Sequence, residues 1–199
     1  VKKAILHLSK INELEKLIKN NPIPIFESDR NYFNALSKSI IYQQLSGKVA
    51  KIIYRRFITL FESNQPNPKK YLKINVVKLK EIGLSRQKIS YIKNLSESFI
   101  ENNNLIDFDK FTDEEISKKL LSIKGIGQWT VDMFMMFTML KIDILPLGDL
   151  GIKKAIQKLF HLKELPTDKF MIENSLSWKP YRTIASCYLW TLVDDGDVW

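Results

Sequence analysis

The chain has 199 residues, 45% of them apolar, and its 31 Lys and Arg outweigh 22 Asp and Glu for a formal net charge of +9. That apolar share fits a core-forming globular protein and excludes a disordered tail, while no apolar run approaches the length that spans a bilayer. A single cysteine, Cys187, excludes an internal disulfide and a four-cysteine iron–sulfur cluster, and His7 and His161 lie too far apart in sequence to suggest a His-based metal site.

The apolar spacing is helical nearly throughout, so an all-α fold is expected. Ser9 is placed to cap a segment with Ile11, Leu14, Leu17 and Ile18 on one face, which Asn20-Asn21-Pro22 ends. Asp29 is placed to cap the next, which buries Phe33, Leu36 and Ile40. From about Gly47 to Phe61 the pattern turns Val49, Ile52, Ile53, Phe57 and Leu60 inward and leaves Lys48, Lys51, Arg55 and Arg56 on a basic side. After a loop at 64–68, helices around 76–82 and 86–100 flank Gly83-Leu84-Ser85, a C-cap followed by an N-cap. Thr112 and Glu115 have capping-box spacing. Further helices are predicted near 150–160, 168–176 and 181–193. No segment shows alternating strands, and there is no internal repeat.

The stretch from Leu121 to Phe137 joins a tight Gly125-Ile126-Gly127 turn to an almost wholly apolar helix. Glycine permits positive φ and a close backbone approach, and main-chain N–H groups at the start of the next helix favour an anion. The turn reads as a phosphate-binding hairpin, blind to base sequence. Lys124 adds charge there, and Gln128 and Thr130 add hydrogen-bonding side chains. A plain helix–helix corner with a glycine C-cap explains the turn alone; the basic charge favours a polyanionic partner, although a Lys-rich composition produces the same charge.

The pattern Leu120-x-x-Ile123-x-Gly125-Ile126-Gly127-x-Trp129-Thr130, followed by Asp143-Ile144-x-Pro146-x-Gly148-Asp149-Leu150-Gly151-Ile152, resembles the helix-hairpin-helix–GPD DNA glycosylases. It is most similar to their alkylpurine branch, the 3-methyladenine DNA glycosylase II type. Further matches are Phe33-x-Ala35-Leu36-x-x-x-Ile40-x-x-Gln43-Gln44-Leu45-Ser46 and Trp178-Lys179-Pro180-Tyr181-Arg182 with Leu189-Trp190. The resemblance implies a two-lobed helical bundle with the active site in an interlobe cleft, in the compact form lacking an extra N-terminal α/β domain. A central lobe is expected at about 45–125, with 1–44 and 126–199 forming the other.

By the same resemblance, Asp149 is the catalytic aspartate; on local grounds it is also a helix N-cap, and the two roles are compatible. Trp129, Met133 and Trp190 match positions lining the base pocket, where ordinary core packing is the other reading. Met133 departs from relatives that carry an aromatic there. Bifunctional relatives carry a nucleophilic lysine where this chain has Trp129, which cannot form a Schiff base, so a monofunctional enzyme is implied. Gln43, Gln44, Leu45 and Ser46 match the loop that inserts into the duplex when the base is everted, with Gln44 or Leu45 as the plug. Lys124, Gly125, Gly127, Gln128 and Thr130 form the phosphate-binding set. Main-chain carbonyls of Leu121, Ile123 and Ile126 match a site for a monovalent cation, Na⁺ or K⁺, and no other cofactor is expected. Asp132 and Asp143 read as capping or solvated residues.

The expected activity is removal of alkylated purines, 3-methyladenine and 7-methylguanine, from duplex DNA by an intracellular, monomeric enzyme. Two rivals stand beside it: a glycosylase for an oxidised or deaminated base, and a helix-hairpin-helix module that binds DNA without chemistry.

Overall fold

The computed structural model describes residues 1–26, 30–101 and 107–193, and every regular element among them is a helix. In chain order these are α1 (Lys2–Leu8), α2 (Asn12–Asn20), α3 (Tyr32–Tyr42), α4 (Gly47–Ile58), α5 (Pro68–Tyr71), α6 (Val76–Glu81) and α7 (Arg86–Glu101). They continue as α8 (Asp113–Leu121), α9 (Gln128–Phe137), α10 (Leu150–Leu159), α11 (Asp168–Asn174) and α12 (Arg182–Trp190), with short 3₁₀ turns between some of them. None of these helices is long and apolar enough to cross a membrane.

Local chemistry sets most of the helix ends. Thr112 and Glu115 close a reciprocal capping box on α8, Asn67 and Asn75 accept from the first turns of α5 and α6, and Thr167 caps α11. Gly83, at φ +102°, ends α6 with the Leu84 N–H bonded back to the Leu79 carbonyl, and Ser85 then accepts from Lys88 N–H to start α7. Ser9 differs from expectation. It closes α1, its hydroxyl donating to Leu6 O, while α2 starts at Ile11 with no side-chain cap. Asp29 lies outside the described residues; the cap seen on α3 is Asn31, which accepts from Asn34 N–H.

The chain packs as two compact units. One spans Ser28–Phe134. Its core sets Phe33, Leu36 and Ile40 of α3 against α7, with Phe33 edge-on to Tyr71 and Phe99 and the Phe57 ring tilted against Tyr71. A second aromatic cluster joins Tyr32, Phe108 and Phe134 at centroid distances of 5.1–5.8 Å. This unit takes in α3, whose apolar face is buried on α7, and the first part of α9. In α4 the buried residues are Ala50, Ile53 and Phe57, whereas Val49 and Ile52, expected inside, are 46% and 45% exposed.

The other unit comprises Val1–Glu27 and Met135–Trp199. Its centre is α12, buried from Thr183 to Trp190, against which α1, α2 and α10 pack. The loop that follows α9 is fastened to the start of this helix. Arg182 donates from Nε and Nη2 to the two carboxylate oxygens of Asp143 at 2.7 and 2.9 Å, and Thr183 bridges Lys141 O and Ile144 N–H. Asp143, read from sequence as a capping or solvated residue, is thus the partner of a half-buried arginine and also accepts from the Arg182 N–H.

Candidate functional site

The candidate site residues fall into two groups, one in each unit. In the unit built on α12, the loop anchored through Asp143 runs to Pro146, whose carbonyl accepts from Asp149 N–H. Asp149 then caps α10, its Oδ1 accepting from Ile152 N–H at 2.7 Å. The same oxygen accepts from the indole Nε1–H of Trp190 at 3.0 Å. The two donors fix the orientation of the carboxylate at the start of α10.

Gly151 makes this arrangement fit. A Cβ there would lie 3.0 Å from Asp149 Oδ1 and 3.0–3.1 Å from the Trp190 ring, tighter than the carboxylate and indole tolerate together. Gly148 contrasts with it, since nothing lies within 4 Å of where its Cβ would stand. Among the described residues, no internal packing demands a glycine at that position.

Trp190 is 3% exposed, with its ring 6.0 Å from that of Phe137, which in turn stacks on Phe26. The structure gives it a role that sequence did not suggest, as the donor that orients the carboxylate. The two residues are 41 positions apart, so no spacing announces the contact. Cys187, on the same helix, is buried and its thiol is pushed up to about 12, which leaves it no nucleophilic role.

In the Ser28–Phe134 unit, the turn between α8 and α9 has Gly125 at φ +108°. Two constraints act on that glycine, because the Tyr91 ring lies beneath it and an added Cβ would stand 2.2 Å from Tyr91 Cγ. The Lys124 carbonyl accepts from Asn94 Nδ2 at 2.9 Å, and the Lys124 side chain is exposed. The N–H groups of Gly127 and Gln128, at the exposed start of α9, have no backbone acceptor among the described residues. Nothing lies within 4 Å of a Cβ on Gly127 either. Donors in that position, without a backbone acceptor at a helix start, can hold an anion.

The remaining predicted residues divide. Gln44 sits at the tip of the α3–α4 turn with φ +55°, and it, Leu45 and Ser46 are exposed. Gln43 faces inward, donating to Gly125 O at 3.1 Å and Thr130 Oγ1 at 2.9 Å. Thr130 is 1% exposed, so its hydroxyl serves the interior of the hairpin. Gln128 donates to Asp132 one turn later in α9, an aspartate read from sequence as capping or solvated that is in fact buried. Trp129 is half-buried, and Met133, one turn later, is 1% exposed and packed.

Comparison with known proteins fits this layout. The model of the family described as "HhH-GPD superfamily base excision DNA repair protein" matches residues 37–180. The chain is 32% identical over 198 residues to DNA-3-methyladenine glycosylase 1 of Schizosaccharomyces pombe, covering 94% of this chain and 86% of that protein. Among solved structures, the 3-methyladenine DNA glycosylase of the same yeast in complex with abasic DNA superposes with a TM-score of 0.89 at 30% identity, covering 99% of each chain. A DNA-3-methyladenine glycosidase from Bacillus halodurans superposes with a TM-score of 0.75 at 31% identity, covering 96% of this chain and 87% of the other.

Proposed function

The chain belongs to the helix-hairpin-helix–GPD superfamily of base excision DNA repair proteins, and from that premise we propose that it is a monofunctional DNA glycosylase acting on alkylated purines. Its substrate is duplex DNA bearing 3-methyladenine or 7-methylguanine, and it works inside the cell, where that duplex is found. The observation that carries this reading is Asp149, held at a helix N-terminus by Ile152 N–H and the Trp190 indole beside an unencumbered Gly148.

Breaking an N-glycosidic bond builds positive charge on the deoxyribose. A fixed carboxylate about 4 Å from that charge stabilises it by about 4 kcal/mol at an effective dielectric near 20. That is roughly a thousandfold in rate. A purine alkylated on a ring nitrogen is already cationic and leaves without a general acid, so one carboxylate suffices. The carboxylate of Asp149, oriented at Oδ1 by its two donors, is assigned to the sugar or to the attacking water.

Trp129 offers an aromatic face to the cationic base, an attraction of about 0.5–2 kcal/mol. It carries no amine for a Schiff base, which supports a hydrolytic reaction that leaves an abasic site. Gly127 and Gln128 N–H groups with Lys124 grip the phosphate backbone, and Gln44 or Leu45 enters the stack as the base leaves it. The main-chain carbonyls of Leu121, Ile123 and Ile126 suit a hard monovalent cation, which bound there would brace the hairpin. The Ile123 oxygen, which accepts from Ile126 N–H, keeps one lone pair for it. A lone buried cysteine does not suit a four-cysteine iron–sulfur cluster.

The test is chromatography of the bases released from methylated duplex, with borohydride present in a parallel reaction. Free 3-methyladenine and 7-methylguanine, strands that break only on alkali treatment and no trapped adduct are expected. A borohydride-trapped adduct would make the enzyme bifunctional, and the absence of any free base would leave a binding module.

A further inference from the structure

Gln43 lies at the end of α3, where it opens the exposed turn, yet its side chain points at the hairpin 82 residues later. Both N–H groups of its amide are occupied, one by Gly125 O and one by Thr130 Oγ1, so no donor remains for DNA. The contact joins the two surfaces assigned above to different tasks. One is the Gln44–Leu45 tip that enters the base stack, and the other is the Gly127–Gln128 start of α9 that grips phosphate.

Helix α7 braces the same pair from behind. Lys88 Nζ donates to Ile41 O at 2.7 Å, placing a half-buried cation on the last turn of α3, where the helix dipole favours one. Burial pushes that ammonium below the usual lysine range. Tyr91 lies under Gly125, and Asn94 holds the Lys124 carbonyl. Residues 88, 91 and 94 recur every three positions, so one stripe of α7 supports the root of the exposed turn and the hairpin together.

We propose that Gln43 is a positioning residue, a strut that makes the inserting turn and the phosphate-gripping hairpin one rigid part, so that gripping the backbone sets the depth of insertion. This rests on the glycosylase reading above. Without the strut, the turn has to be ordered while it penetrates the duplex, and that loss falls on base eversion. Eversion is most demanding when the lesion is well paired and stacked, and least when it is already unpaired. The strut therefore matters most for a paired lesion.

The experiment compares single-turnover release of 7-methylguanine placed opposite cytosine and opposite an abasic analogue, for the wild type, Gln43→Met and Thr130→Val. Gln43→Met keeps the length of the side chain and removes both donors; Thr130→Val removes one acceptor and leaves the bond to Gly125. With two neutral hydrogen bonds lost, Gln43→Met should slow release opposite cytosine roughly tenfold more than release opposite the abasic analogue. Thr130→Val should shift that ratio in the same direction by less. Thermal melting identifies a variant that fails to fold, in which case the other decides. If the wild type releases no base, the glycosylase reading itself fails. If it does, and the folded variants keep the wild-type ratio, the strut is overturned.

Discussion

Replacing Trp190 by Phe separates two roles that one tryptophan can play. The ring is buried and packs against Phe137, and its Nε1–H holds Asp149 Oδ1 at 3.0 Å. Phenylalanine keeps most of the ring and loses the donor. A hydrogen bond to a charged acceptor contributes about 1.5–3 kcal/mol, and if the carboxylate relies on it to hold its reactive orientation the chemical step slows roughly 10- to 150-fold. The Ile152 N–H remains as the second donor, which places the expected loss toward the lower end. The assay is single-turnover base release from a 7-methylguanine duplex over a range of protein concentrations. The maximal rate should fall about 10- to 50-fold with the half-saturating concentration changed less than about threefold, since ring packing is retained. A maximal rate within twofold of wild type would refute a positioning role, and a raised half-saturating concentration at unchanged rate would return Trp190 to the wall of the base pocket.

The other predictions are simpler. Gly127→Ala meets no neighbour within 4 Å and no positive φ, so the melting midpoint should barely move, while binding to undamaged duplex weakens roughly tenfold by fluorescence anisotropy as the Cβ holds phosphate away from the donors. Unchanged affinity would remove the hairpin from the phosphate contact. Ser37 is fully buried and its hydroxyl has no hydrogen-bond partner among the described residues, so Ser37→Ala should stabilise the fold by about 1 kcal/mol, a rise of roughly 2–4 °C in Tm. A lower Tm would mean that the hydroxyl has a role its surroundings do not reveal.

What the sequence made legible was local. The Thr112–Glu115 box, the Gly83 terminator, the Ser85 cap and the Asp149 cap all join residues no more than five positions apart, and each is readable from side-chain type and spacing. The α4 face was misjudged because Val49, Ile52, Ile53, Phe57 and Leu60 fit a helical stripe almost as well as the buried Ala50, Ile53 and Phe57. One residue of offset turns a helix by about 100°, and apolar content alone does not fix which stripe meets the core. Ser9 was assigned to the wrong helix because a hydroxyl between two helical runs serves either end. The contacts that shape the candidate site are the long-range ones. Trp190 to Asp149, Gln43 to Thr130, Arg182 to Asp143 and Lys88 to Ile41 join residues 39 to 87 positions apart, and no pattern in one sequence records them. The resemblance marked Gln43 and Trp190 as notable and left the atoms they bond unknown.

In the proposed reaction, Asp149 is the anion that stabilises the sugar cation. Its most direct test is base release by Asp149→Asn, which keeps an oxygen for Ile152 N–H and Trp190 Nε1–H while removing the charge. On the same 7-methylguanine duplex, Asp149→Asn should bind about as well as the wild type and release base roughly a thousandfold more slowly. Release at the wild-type rate by the neutral variant would contradict the account.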